Sequence, residues 1–308
     1  MSTDSNTDHA AGKVSLLSRL HAWWEGEDAE TEDGDAADSG AAAGADDNAA
    51  ETVGWPAPRL AAAQKLFGEG CTIPGCEQAV VQLIEPLQLD QEKSVVDINA
   101  GIGTAARIIA EKFGCTVQGL AEDPALVEQG TKFAEKAGLG EKVIMREGSL
   151  GHSGLENDSQ DAIFGLAALL GQEDKATAFL DMWTLLKPGG QVLLAEYVVK
   201  KPAEAKEDAA EWAKLEKRKH HLSTLDQIKQ GLSASHMDVH LTLDISEAFC
   251  GHITHGLADL TDVLKQESIP KDQRPWIMWE VELWARKVSM LESGSIGFFL
   301  IHASKAKE

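Results

Sequence analysis

The stretch VVDINAGIGTAARIIA, residues 95–110, decides the fold. An apolar β-branched run, Val95-Val96, reaches an acid at Asp97. Glycines follow at 101 and 103, and Thr104 opens a segment whose apolar residues recur at helical spacing. A strand that enters a glycine loop and leaves as a helix brings backbone close to a ligand at the positive end of the helix dipole. That geometry suits the amino-acid and ribose portions of a nucleoside cofactor, held over Gly101 and Gly103 at the carboxyl end of a sheet.

Outward from the loop, strand-like and helical patterns alternate. Residues 94–99, 116–121, 143–147, 161–166 and 191–197 read as strands, and 104–113, 124–137 and 174–186 as helices. Such alternation gives βαβ units and a mostly parallel sheet covered on both faces. The rhythm breaks after Tyr197. Residues 201–232 are charged and helical, 239–243 read as a strand, 246–291 are largely helical, and 294–302 read as a final strand. The expected fold is α/β, a Rossmann-like seven-stranded sheet with a helical cap inserted at about 201–235, the whole domain running from 53 to 305. A second signature, Leu186-Lys187-Pro188-Gly189-Gly190, closes a helix before the strand 191–197.

Residues 1–52 have a different character. Between Glu25 and Glu51 there are eleven acids and no Lys or Arg, half of the net charge of −22, and the Ala/Gly/Asp stretch 35–50 lacks side chains that could build a core. The expectation is a disordered acidic arm. Inside it, Leu16, Leu20 and Trp23 fall on one face of a short amphipathic helix at 13–24, either docked on its own domain or offered to a protein partner. A chain this acidic repels phosphate backbones and anionic membrane surfaces, which argues against nucleic acid and leaves small molecules or basic proteins as partners. Four cysteines (71, 76, 115, 250) suggest neither a disulfide framework nor a zinc site. With no apolar leader and no run of about 18 apolar residues, they lead to the expectation of a cytoplasmic protein without a membrane span.

Together the Asp-x-x-x-Gly-x-Gly loop and LKPGG resemble the class I S-adenosylmethionine (SAM) dependent methyltransferases. At finer grain, residues 55–305 resemble the phosphoethanolamine N-methyltransferase branch through Leu66–Gly70 with Pro74-Gly75, the glycine loop, LKPGG with VLLAEYV, Lys217–His220 with LSTLDQ, and LWARKV. The resemblance implies SAM as cofactor, contacted by Asp97, Asn99, Gly101, Gly103, Glu122, Ser149 and a closing Trp55. It also implies a phosphate pocket whose members fall on Tyr197, Arg218, His220 (where the branch usually has Tyr) and Lys287. Arg offers a planar fork to an anion and Lys a point charge.

Several of the branch's positions differ here. Its first loop glycine is Asn99, its ribose-binding acid is Ala121 with Glu122 adjacent, and its adenine-side acid is Ser149. Its Tyr and His beside the transferred methyl align with Trp55 and Leu169, neither of which can act as a base. Two functions therefore stay open: methyl transfer to a small amine or hydroxyl compound that can carry phosphate, or a catalytically impaired relative that binds and regulates. Elsewhere, His252 and His255 stand three apart on a helical segment and His236 and His240 are four apart, but neither pair has a completing metal ligand. Trp276, Trp279, Leu283 and Trp284 make an apolar stripe read first as core and second as pocket lining.

Overall fold

The computed structural model describes residues 53–307. The acidic arm and the 13–24 helix lie outside the described residues.

The strands are β1 (Ser94–Asp97), β2 (Thr116–Ala121), β3 (Val143–Glu147), β4 (Gln160–Leu166), β5 (Leu186–Val199), β6 (Ser223–Thr224), β7 (Met237–Asp244) and β8 (Ile296–Lys305). Seven of them form one path, β3-β2-β1-β4-β5-β8-β7, and two-residue β6 pairs with β5 beside it, making eight strands where seven were expected. Pairing is parallel from β3 to β5 and antiparallel at β8 with both neighbours. Alternation along single strands sends side chains to two separate cores. Val95 faces one core and Val96 the other, and Leu193 and Leu194 divide the same way.

The first core is covered by α1 (Ala57–Phe67), α2 (Cys76–Ile84), α3 (Thr104–Phe113), α8 (Ser246–Gln266) and α9 (Arg274–Ser293). The second lies under α5 (Lys175–Leu185) and α7 (Leu225–Ala234). Helix α4 (Pro124–Lys136) follows β2, and α6 (Pro202–Glu216) begins the cap. The region expected as one charged helical cap, 201–235, is thus two helices separated by the β6 pairing, and α7 packs into the second core through Ile228 and Leu232.

LKPGG differs from its expected role as a turn after a helix. All five residues belong to β5, and they bulge out of the ladder, since Gln160 pairs with Leu186 but Ala162 pairs with Gln191. Gly189 has φ +76°, and a Cβ on Gly190 would lie 2.8 Å from the Lys187 carbonyl oxygen, so the bulge needs both glycines. Lys187 Nζ sits 2.6 Å from Asp161, whose carboxylate also accepts from Ser94 N and Oγ. These bonds tie the starts of β1, β4 and β5 together. They also hold the Asp161 carboxyl down to about 2, the Lys187 and Ser94 hydrogen bonds outweighing the upward push of burial.

The cysteine expectation is corrected at one point, because Cys71 and Cys76 are paired as a disulfide with Cα atoms 5.8 Å apart. Gly75, at φ +77°, turns the chain, and Cys76 N donates to Ile73 O, which brings the two thiols together over only five residues. Among the described residues no helix is long and apolar enough to cross a membrane.

Candidate functional site

The carboxyl ends of β1, β2, β3 and β4 open into a cavity of about 480 Å³. Ligands in open α/β sheets bind in this crevice. Ile98 and Asn99 after β1, Leu120 to Asp123 at the end of β2, Gly148 and Ser149 after β3, and Ala167 and Ala168 after β4 line it. The cap contributes Glu216 and Arg218, and the segment Val53–Trp55 with Arg59 and Trp279 completes the wall.

The glycine loop is fixed from outside. Arg107, on α3, donates to Ile102 O and to Gly70 O at 2.5 Å each, and Thr104 Oγ1 donates to Gly70 O at 2.9 Å. Gly103 takes φ +68°, and a Cβ there would lie 2.7 Å from Met145 Sδ. At Gly101 a Cβ would meet nothing nearer than Thr72 Oγ1 at 3.7 Å, so that backbone faces open cavity. Asn99 is held by its side-chain amide donating to Leu166 O at 2.8 Å.

Glu122 reaches the cavity because β2 stops at Ala121 and Asp123 caps the next helix, its Oδ1 accepting from Ala125 N at 2.9 Å ahead of Pro124. Within a strand, Glu122 would point to the face opposite Ala121, but that alternation does not apply once the strand has ended. The other Asp123 oxygen accepts from Trp55 N at 3.3 Å. Trp55 is also tied through Arg59, whose guanidinium lies 3.9 Å from the Trp55 ring centre and 4.3 Å from that of Trp279. Arg59 donates to Val53 O and Gly54 O at 2.8 Å and pairs with buried Glu280 at 3.2 Å. A buried guanidinium thus anchors the strap across the cavity mouth.

Of the sequence-derived residues, Trp55, Asn99, Gly101, Glu122, Ser149 and Arg218 line the cavity together. Asp97 is buried beneath the loop, accepting from Asn99 N, and burial outweighs that bond to raise its carboxyl to about 7. Gly103 caps α3. Tyr197, His220 and Lys287 do not line the cavity. Tyr197 packs against Trp212, Phe249 and Phe298, while His220 and Lys287 meet Glu216 from behind the wall. Leu169 is in the second core, its N–H donating to Glu196 Oε1 at 3.0 Å.

Sequence reading missed Arg59, Glu196 and Glu216. Glu196 is 1% exposed, and burial raises its carboxyl to about 8 despite hydrogen bonds from the Leu169 and Ala168 amides. It holds the Ala167–Leu169 turn that forms part of the cavity floor. A buried acid within the apolar run VLLAEYV was its signal. Trp279 lines the cavity, whereas Trp284 packs edge-on to Phe67 and donates to Glu280, so the aromatic stripe is divided between pocket and core. Among the described residues no group of three His, Cys, Asp or Glu side chains gathers as a metal site.

A strand order of 3-2-1-4-5-8-7 with one antiparallel strand, and a cavity over the first four parallel strands, define a class I methyltransferase fold. Residues 95–190 match the methyltransferase domain family. The chain resembles the class I SAM-dependent methyltransferases, and within them the phosphoethanolamine N-methyltransferase branch. Phosphoethanolamine N-methyltransferase 1 of Zea mays is 26% identical over 53% of this chain and 32% of its own length. The Plasmodium falciparum phosphoethanolamine N-methyltransferase is 23% identical over 59% of this chain and 67% of its own. The chain thus spans about a third of the maize relative. Phosphoethanolamine N-methyltransferase 2 of Haemonchus contortus, solved with S-adenosyl-L-methionine, superposes with a TM-score of 0.69 at 18% identity, over 80% of this chain and 57% of that one.

Proposed function

We propose that this chain binds SAM in the cavity over β1 to β4 and transfers its methyl group to a small amine or hydroxyl acceptor. The observation that carries this reading is the convergence of Gly101, Asn99, Glu122, Ser149 and Trp55 on one cavity at the carboxyl ends of parallel strands. The residue types fit the cofactor. Glu122 supplies a carboxylate for ribose hydroxyls, Ser149 a hydroxyl for the adenine side, and Gly101 an open backbone approach. Bound there, SAM supplies an electrophilic methyl group on a sulfonium.

What the chain contributes is positioning and exclusion of water. The strap carrying Trp55 is fastened at Asp123 and through Arg59 to Glu280, and the Glu196-held turn fixes the floor. In-line displacement rewards such alignment strongly. Proton removal is poorly served. The chain's one tyrosine, Tyr197, is buried in the aromatic cluster, and the cavity lining holds no His or Lys among the described residues. Glu216, the lining carboxylate nearest a basic partner, would be raised by burial. Lys287 and His220 instead lower it to about 2, which makes it a weak base. An acceptor with a free lone pair therefore suits this site best. Of the other lining carboxylates, Asp123 is engaged by Ala125 N and Trp55 N, and Glu122 is given to the ribose in this reading. The resulting shortage of a free base favours the second reading, a binding protein that keeps the cofactor site but turns over slowly.

Calorimetric titration with SAM and S-adenosylhomocysteine tests the first reading. Micromolar binding is expected, and no binding up to millimolar ligand refutes it. Binding without methyl transfer to any amine or hydroxyl acceptor would select the second.

A further inference from the structure

Glu216 ends the cap helix Pro202–Glu216, and it both lines the cavity and meets the Lys287 ammonium and the His220 imidazole behind the wall. Oε2 lies 2.8 Å from His220 Nε2, and Oε1 lies 3.4 Å from Lys287 Nζ. Both partners are withdrawn from water, with His220 1% and Lys287 9% exposed in their side chains. Lys287 sits over the rings of Trp284 and Trp212, at 4.3 and 5.2 Å from their centres, and its one ion pair among the described residues is with Glu216.

A buried ammonium group and a buried imidazole that can donate a hydrogen bond would together suit an anion, because a buried cation needs a negative partner in a low-dielectric setting. In this chain that partner is built in. The remaining charges around the cavity do not restore an anion site. Glu122 and Asp123 add two more carboxylates to the lining, and Arg59 is consumed by Glu280 and the carbonyls of Val53 and Gly54. Arg218 is a lining guanidinium, but it is exposed, where water screens it. The C-terminal end of α6, at Glu216 itself, adds the negative pole of a helix.

We infer that Glu216 is a resident counter-ion and specificity-determining residue: it fills the position an acceptor's anionic group would take, so the acceptor methylated here carries no phosphate or carboxylate. This rests on the proposed methyl transfer and narrows its substrate class to neutral or cationic small molecules. An acceptor bearing phosphate would have to place its charge against Glu216 or displace a carboxylate already matched to Lys287 and His220.

The test compares ligands that differ only in the anionic group. Ethanolamine, phosphoethanolamine and inorganic phosphate are titrated by calorimetry into the full chain, the wild type against Glu216→Gln and the double variant Glu216→Gln/Lys287→Met. The wild type is expected to bind neither phosphoethanolamine nor inorganic phosphate below 10 mM. Glu216→Gln should bind both at least tenfold more tightly, and the double variant should lose that gain. Submillimolar binding of either anion by the wild type overturns the inference, and so does a folded Glu216→Gln with no gain. If Glu216→Gln does not fold, the wild-type titration decides alone. S-adenosylhomocysteine binding, measured in parallel, reports on the cofactor reading independently, since the anion titrations need no cofactor.

Discussion

Replacing Glu196 with Gln should change how stability depends on pH. The Glu196 carboxyl is buried to 1% exposure within β5, and burial raises its pKa from the ordinary 4.5 to about 8. At neutral pH it is therefore protonated in the fold and ionised in the unfolded chain. Between pH 4.5 and 8 the native state holds one more proton than the unfolded state, so stability falls as pH rises. The contribution is fully present below 4.5 and is lost as pH passes through about 8. One such proton changes stability by ~1.4 kcal/mol per pH unit. Gln copies the protonated acid in shape and keeps an oxygen for the Leu169 N–H, but it does not titrate. Chemical unfolding at pH 5.5, 6.5 and 7.5 is the assay. From the lowest pH to the highest, the variant should gain on the wild type by on the order of 2–3 kcal/mol. Asp97, also raised by burial, is common to both proteins and cancels in the comparison. Parallel curves over this range would mean that Glu196 is charged in the folded protein and would refute the reasoning.

Two further substitutions probe the loop and the strap. Gly103→Ala puts a Cβ at φ +68° and 2.7 Å from Met145 Sδ, and should lower stability by ~1–3 kcal/mol while weakening S-adenosylhomocysteine binding; an unchanged melting temperature would contradict it. Arg59→Met strands the Glu280 carboxylate, which is 3% exposed in its side chain, and should cost ~3–5 kcal/mol, with part recovered in Arg59→Met/Glu280→Gln. Thermal denaturation that finds the single and double variants equally stable would show that the pair does not anchor the strap.

The resident counter-ion and the strap bear on the same question of what enters the cavity. His220 and Lys287 fall on sequence positions that resemble a phosphate pocket, yet in space both turn to Glu216. Residue types at family positions are a list of available chemistry. Which partner each finds is decided by what else the fold packs beside it.

Local sequence determined the strands and helices around the glycine loop, because apolar period, glycine placement and the Asp-Pro helix start act over a few residues. Val95–Gly103, Asp123-Pro124 and the alternation through Tyr197 were legible for that reason. Less of the rest was. LKPGG looks like a turn in one dimension, and only the pairing of Gln160 with Leu186 and of Ala162 with Gln191 makes it a bulge within a strand. Glu122 could be placed at the cavity only once the end of β2 was known. Arg59 and Glu280 are 221 residues apart, and Glu216 and Lys287 come from the cap and the penultimate element. Such pairs have no local signature. They form because burying a charge is costly until an opposite charge is folded against it. The sequence by itself determined a methyltransferase-like scaffold with a nucleoside loop, and the tertiary structure alone decided which charges face the cavity and which are already matched behind its wall.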